Sequence, residues 1–364
     1  MKKNILIFYI SIIIFFSSIE SRKKKKKSKI ISNCEKIIKY YSKKLYYNQE
    51  FCYNNSQKHN SKCNENLYNK DLIKKNNEFK IFKICKKDLL MWYKRITKKS
   101  FDIEKPKTLN EKIQWMKLYD NTPLKTLLAD KYLSREWIKQ RIGEKYLIPL
   151  LGVWDSFDKI NFDLLPKKFV LKANHGCHYN IIVENKNLFN IKKAKIKFKR
   201  WMKTNFAFEY GFQFHYINIK PKIIAEEYLE SNDKGGIYDY RVYCFNGKAK
   251  YIGFFSNSRG NWKIAFYDLE WNKLNFYYNY ILDNKNISKP KNLNLMIELS
   301  EKIAIDFAFV RIDYYILNNG TLKIGEITFT PTSGTAKWFP SKQDLIFGNM
   351  IILPSKKPFP IYFN

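Results

Sequence analysis

Two acidic side chains, Asp313 and Glu326, flank an Asn-Asn-Gly turn in the stretch FVRIDYYILNNGTLKIGEITF, residues 309–329. With Asn319-Gly320 as a two-residue type I′ turn, Asn318 faces Thr321, Asp313 faces Glu326 and Arg311 faces Thr328. Side chains alternate along a strand, so Arg311, Asp313, Glu326 and Thr328 share one face. Val310, Ile312, Tyr314 and Ile316 then form a core face. Opposed carboxylates repel across a ladder unless something lies between them. A divalent cation with oxygen ligands relieves that repulsion. Arg311 beside them suits further anionic groups, such as phosphates. The plainer alternative is a solvated face on which Asp313 pairs with Arg311 or a nearby lysine. A slip of one residue in register would undo the opposition altogether.

A second candidate is Lys172, which follows the apolar run Phe169-Val170-Leu171. A buried lysine needs an anionic partner. His175-Gly176 comes next, then a loop back into another strand. A strand, a lysine and a tight loop can make a phosphate cradle. Cys177 reads as a small loop residue rather than a nucleophile, and His178 as a solvated loop histidine. No Ser-His-Asp or Cys-His constellation demands a nucleophilic side chain.

The elements that must hold these groups begin near residue 100. Thr108-Leu109-Asn110-Glu111 fits a capping box opening a helix over NEKIQWMKLYD. Thr122-Pro123 opens another helix carrying Leu124, Leu127, Leu128, Trp137 and Ile138, which Gly143 can end. KKFVLKANHG, YNIIVEN, PKIIAEEYLE, DYRVYCFNGK and AKYIGFFSN read as strands, the last two joined at Asn246-Gly247. NIKKAKIKFKRWMKTNF reads as a basic amphipathic helix, and a helix over 292–307 carries Leu293, Met296, Leu299, Ile303 and Phe307 at helical spacing. Helices first, then mixed strands with a few helices, predict an α+β or mixed α/β fold.

The chain has 364 residues, 45% of them apolar, enough for two or three domains. Its formal net charge of +34 runs through helices, loops and tails alike. That uniform bias reads as compositional habit, so no dedicated nucleic-acid partner is expected. Lys2-Lys3 and the apolar run Ile5–Phe16 make residues 1–21 a signal peptide. The basic run Arg22–Lys27 supports the alternative of an anchor through residues 5–19 that leaves the protein facing the cytosol. Residues 22–95 form a basic, Asn-rich appendage. Cys34, Cys52, Cys63 and Cys85 within it lack zinc-site spacing and suit two disulfides in the lumen of the secretory pathway. The main domain spans 96–354, and 355–364 is a tail.

Taken together, LNEKIQWMKLYD, LADKYLSRE, YLIPLLGVWDSFDKINFDLLPKKFVLKANHG, IIAEEYLE, DYRVYCFNGK and FVRIDYYILNNGTLKIGEITFTPTSG, in this order, resemble the TupA-like branch of the ATP-grasp superfamily. The resemblance covers about residues 100–354. It implies two α+β subdomains with mixed or antiparallel sheets clasping ATP. It implies that Lys131 and Lys172 contact the nucleotide, with His175 and Gly176 in the loop beside it. Glu227, Tyr228 and Leu229 would be the hinge reading adenine, with Glu226 nearby. Arg241 would face phosphate or acceptor, and Arg311 the transferring phosphoryl. Asp313 and Glu326 would hold Mg2+, with Thr328 where many relatives place an asparagine ligand. One departure is the loop His175-Gly176-Cys177-His178-Tyr179-Asn180, where relatives carry further glycines. His178 and Tyr179 are expected to crowd the site or to swing aside as a lid.

The implied activity is ATP-dependent activation of a carboxylate for amide-type bond formation on a sugar acid or surface-glycan component. Alternatives are a sugar-nucleotide glycosyltransferase and a non-catalytic relative.

Overall fold

A computed structural model describes residues 33–36, 63–230, 238–258, 261–283, 285–317 and 319–356. They fall in two compact units, the second of which is Ser100–Pro360. The first contains helix α1 (Cys63–Thr97). Its Ile81, Cys85, Leu89 and Tyr93 recur every fourth residue and are buried, one stripe of the helix. Cys85 is bonded to Cys34, one bridge of the two expected. Cys52, the side chain of Cys63, the proposed signal or anchor and the end of the tail lie outside the described residues. Among the described residues no helix is long and apolar enough to cross a membrane.

The second unit opens with α2 (Leu109–Tyr119), capped as expected. Thr108 Oγ1 accepts the Glu111 amide at 3.3 Å, and the Glu111 carboxylate accepts the Thr108 amide at 3.2 Å. Thr122 likewise caps α3 (Pro123–Ala129). The single helix expected to run from here to Gly143 is in fact two. The chain turns extended at Asp130, and α4 (Ser134–Ile142) starts afresh. Asp130 Oδ1 accepts the amides of Tyr132 (2.8 Å) and Leu133 (3.1 Å), while the Lys131 amide donates to the Asn174 carbonyl at 3.1 Å. This break, held by buried hydrogen bonds, is what sets Lys131 outside a helix.

A four-stranded antiparallel sheet follows, in the order β1-β4-β2-β3, with β1 at Leu150–Trp154, β2 at Phe169–Ala173, β3 at Asn180–Val183 and β4 at Ile223–Glu227. Phe169, Leu171, Ala173, Ile223 and Ala225 point from it into a core closed by α5 (Ile191–Trp201), which supplies Ala194, Phe198 and Trp201.

The larger sheet runs β10-β7-β6-β5-β11-β12. Its strands are β5 (Asp239–Phe245), β6 (Lys248–Ser258), β7 (Asn261–Tyr267), the short β8 (Lys273–Leu274), which pairs with β7, β10 (Ile281–Leu282), β11 (Phe309–Ile316) and β12 (Leu322–Thr328). Asn246 (φ 47°) and Gly247 (φ 79°) form the tight turn expected between β5 and β6. Helix α6 (Leu293–Ala304) buries Leu293, Met296, Leu299 and Ile303 in the core under one face, formed by Val242, Ile252, Val310, Ile312 and Tyr314 among others. Full burial of each such side chain stabilises by roughly 1.5–3 kcal/mol. Further elements include β9 (Tyr277–Tyr278), its partner β13 (Trp338–Phe339), and α7 (Lys342–Asn349).

The β11–β12 hairpin pairs Asp313 with Glu326 and Arg311 with Thr328, as expected, but by a different route. The tip is not a two-residue turn. The Leu317 amide donates to the Thr321 carbonyl, and the Gly320 amide, at φ 78°, to the Leu317 carbonyl. Three residues therefore lie between the closing pair, and the outer arms run one residue out of the expected register: Tyr314 faces Ile324 and Ile316 faces Leu322. A bulge at Gly325 takes up that residue and restores the opposition of the carboxylates.

Candidate functional site

The face of the large sheet turned away from α6 carries a row across three neighbouring strands: Glu326 on β12, Asp313 on β11 and Arg241 on β5. One step along, Arg311 faces Thr328. Arg311 grips Asp313 with two bonds, Nε to Oδ1 at 2.7 Å and Nη2 to Oδ2 at 2.6 Å. The pair is buried. Burial pushes the Asp313 carboxyl up, to about 6, against the pull of Arg311 and Arg241, so it is still ionised at neutral pH. Of the plainer alternative the pairing of Asp313 with Arg311 is present, but on a buried face and not a solvated one. Arg241 is paired in turn with Asp239 (Nη2 to Oδ2, 2.7 Å) and lies 3.6 Å above the Phe255 ring.

Glu326 is the open member of the row, its side chain 31% exposed. Its Oε1 accepts the Thr328 hydroxyl at 2.8 Å and lies 3.5 Å from Arg311 Nη2, and its Oε2 is 4.0 Å from Lys131 Nζ. Burial would raise this carboxyl, but Lys131 and Arg311 outweigh it and bring it down to about 2.

Three cations lie nearby: Lys172 on β2, Lys131 in the break after α3, and Arg135 on α4. Lys172 Nζ donates to Glu226 Oε2 at 2.5 Å, the anionic partner that a buried lysine requires. Glu226 Oε1 is held by Arg135 Nη1 at 3.0 Å, and Arg135 Nη2 donates to the Ile148 carbonyl at 2.6 Å. Lys131 Nζ donates to the Gly176 carbonyl at 2.7 Å. Lys131, Arg135, Lys172, Tyr216, Glu226, Gly325 and Glu326 line one cleft together with the apolar Leu128, Ala129 and Ile327. Arg241, Arg311 and Asp313 are outside its lining, further along the same sheet face. A shallower groove shares Arg135 and Leu147 with this cleft.

The loop after Lys172 departs from expectation. Tyr179 neither crowds the cleft nor forms a lid. It is buried in the small-sheet core, stacked on Trp201 at 5.2 Å with its hydroxyl bonded to Glu209. Gly176 is required by that packing, because a Cβ there would lie 2.6 Å from the Tyr179 ring. His175 is buried, its Nε2 at 3.0 Å from the Trp201 carbonyl and its Nδ1 at 3.2 Å from Asn174 Oδ1. Its imidazole therefore offers no nitrogen to a ligand. His178 is exposed, at φ 61°. Cys177 is half-buried, and burial pushes its thiol up to about 11, as suits a loop residue and not a nucleophile. Glu227, Tyr228 and Leu229 stand at the end of β4 and are not part of the cleft lining.

A comparison with protein-family models matches residues 111–352 to the TupA-like ATPgrasp family. The chain belongs to the TupA-like ATP-grasp family. A search of curated proteins found no match. Among solved structures it is similar to N5-carboxyaminoimidazole synthetase from Staphylococcus aureus (13% identity, TM-score 0.32, 56% of this chain and 44% of that one). It is also similar to D-alanine–D-alanine ligase from Bacillus anthracis complexed with ATP (14%, 0.33, 56% and 55%). A third is N5-carboxyaminoimidazole synthase from Aspergillus clavatus complexed with ADP and 5-aminoimidazole ribonucleotide (12%, 0.34, 64% and 53%). The chain thus spans about half the length of these enzymes.

The ATP-grasp assignment calls for Mg2+, and the donors fit it. Among the described residues no three His, Cys, Asp or Glu side chains gather to hold a metal by themselves. Magnesium does not require that: it takes one or two carboxylates and completes its shell with waters and substrate phosphates. Glu326, ionised and half-open, with the Thr328 hydroxyl on it, meets that description, and Asp313 meets it once Arg311 lets go. Sequence reasoning missed Arg135, although it lies inside the recognised stretch LADKYLSRE, four residues after Lys131. In a chain with 67 lysines and arginines, one more cation carried no signal. Asp239, two residues before Arg241, was missed for want of a partner to suggest it.

Proposed function

We propose that the protein is an ATP- and magnesium-dependent ligase that activates a carboxylate as an acyl phosphate for amide-type bond formation on a sugar acid or surface-glycan component. The observation that carries this reading is one cleft lined both by cations and by a carboxylate that can hold a metal. Lys131, Arg135 and Lys172 line it with Glu226 between the last two, and Glu326, 4.0 Å from Lys131, ends a row leading to Asp313, Arg311 and Arg241. Family membership supports it. The glycan acceptor rests on the resemblance alone.

When bound, ATP supplies the phosphoryl group and Mg2+ offsets the charge of its phosphates. Lys131, from the break between α3 and α4, and Lys172, from β2, would bind the phosphates. Glu326 and Thr328 would hold the metal, with Asp313 as the second carboxylate. Buried Arg311 and half-buried Arg241, which lies over the Phe255 ring, would supply positive charge where negative charge spreads in transfer. Thermal unfolding of the full chain tests this. Mg-ATP at about a hundredfold excess over its Kd should raise Tm by roughly 3–5 °C, and Glu326→Gln should abolish the rise. Stabilisation by Mg-UDP-sugars alone would favour a glycosyltransferase. Indifference to both would mark a non-catalytic relative.

A further inference from the structure

Helix α5 takes no part in the cleft. Its Ala194, Phe198 and Trp201 are buried, and Phe198 packs on Phe157 at 5.6 Å between ring centres. Seven of the twelve residues Lys192–Lys203 are basic and none is acidic. Basic charge alone says little in a chain of net charge +34. Its arrangement says more. Ile196 stands mid-helix, 71% exposed. Its surface neighbours at i−4, i−3, i+3 and i+4 are Lys192, Lys193, Lys199 and Arg200, all exposed. Just before the helix, Leu188 is 82% exposed, and so is Leu164 on the neighbouring loop. Lys186 Nζ pins those two loops together through the carbonyls of Phe162 (3.1 Å) and Leu165 (2.6 Å).

We propose that this face seats on an anionic lipid surface, with Ile196, Leu188 and Leu164 entering the headgroup boundary and the surrounding lysines meeting lipid phosphates and carboxylates. The apolar face of α5 is spent on the protein core, so the attraction is that of clustered lysines for anionic headgroups, with the exposed aliphatic side chains reaching into the boundary. Nucleic acid is the poorer fit, because the residues set among these cations are aliphatic. They neither stack on bases nor hydrogen-bond to them. The seat is independent of the cleft and of the proposed ligase chemistry.

Ile196→Trp in the full chain places a reporter at the centre of the face. Vesicles of bromine-labelled phosphatidylcholine with about 30% phosphatidylserine should quench its fluorescence beyond any quenching of the parent chain, and vesicles lacking phosphatidylserine should not. Replacing Lys192, Lys193 and Lys199 by glutamine in that chain should lower partitioning about a hundredfold, since each cation near an anionic surface contributes roughly fivefold. Unchanged circular dichroism would establish that the variants fold. Three results would overturn the proposal. One is a chain that sediments with vesicles while the reporter indole stays unquenched, which would place the contact elsewhere. Another is quenching indifferent to phosphatidylserine or to the lysines. The third is a reporter that responds to a short oligonucleotide and not to vesicles.

Discussion

Glu226 is shared between two cations, and that sharing has a measurable consequence. With Arg135 on one oxygen, Lys172 competes for only part of the carboxylate's charge. Arg135→Met would leave Glu226 to Lys172 alone and hold the lysine back from a phosphate. Mg-ATP affinity, read by calorimetry, should fall about tenfold, with a stability loss of about 1–3 kcal/mol from the hydrogen bonds to a charged group. An affinity within twofold of the parent would mean that Lys172 does not reach the nucleotide. The need for an anion near Lys172 was legible in the apolar run before it. The identity of that anion was not, because strand pairing between β2 and β4 brings together residues 54 apart in sequence. Nor could residue types reveal that Tyr179 turns inward to Trp201, since the same Gly-Cys-His-Tyr stretch suits an open loop equally well.

Among the elements, the hairpin shows how a right pairing can rest on a wrong turn. The type I′ reading misplaced the tip by one residue, and the bulge at Gly325 cancelled the error. The bulge itself was written in the sequence. Core residues on β12 fall at Leu322, Ile324 and then Ile327, a step of three where alternation demands two, with a glycine in the gap. Gly325→Val would drive a Cβ to 2.9 Å from the Tyr315 ring. The expected cost is about 1–3 kcal/mol in chemical denaturation. Stabilisation by Mg-ATP should be lost as well, because Glu326 is the next residue. A variant that is less stable yet responds fully to Mg-ATP would show that the bulge does not set the carboxylate. The broken helix at Asp130 is the converse case. Its periodicity ran straight through, and only the distant Asn174 explains why the chain turns out there.

For the whole molecule, fold class was legible because several long motifs keep their order, while the short strands β8, β9, β10 and β13 were not. Each is two residues long, too short for any alternation to register. Global stability should carry the mark of a buried histidine. Burial, with Lys125 and Lys117 adding to it, lowers His215 to about 3 from its ordinary 6.5. Between those values the unfolded chain takes up a proton that the folded chain refuses. The contribution is therefore complete above about 6.5 and declines as pH falls towards 3, by roughly 1.4 kcal/mol per pH unit. His215→Phe keeps the ring against Phe329 and removes the titration. Urea denaturation should show the variant gaining roughly 3 kcal/mol on the parent between pH 7 and pH 4. A constant difference would mean that the folded protein admits the proton.

The two compensating offsets in the hairpin also separate its ends. Everything beyond Gly325 towards the tip follows one register, and everything on the carboxylate side follows another. The bulge is fastened by Tyr315 and by the core, not by the turn. The loop at 317–321 can thus lengthen or shorten without moving Asp313 or Glu326. The tip is a stretch of chain on which variation can accumulate, or a foreign peptide can be carried, while the chemistry behind it stays in register.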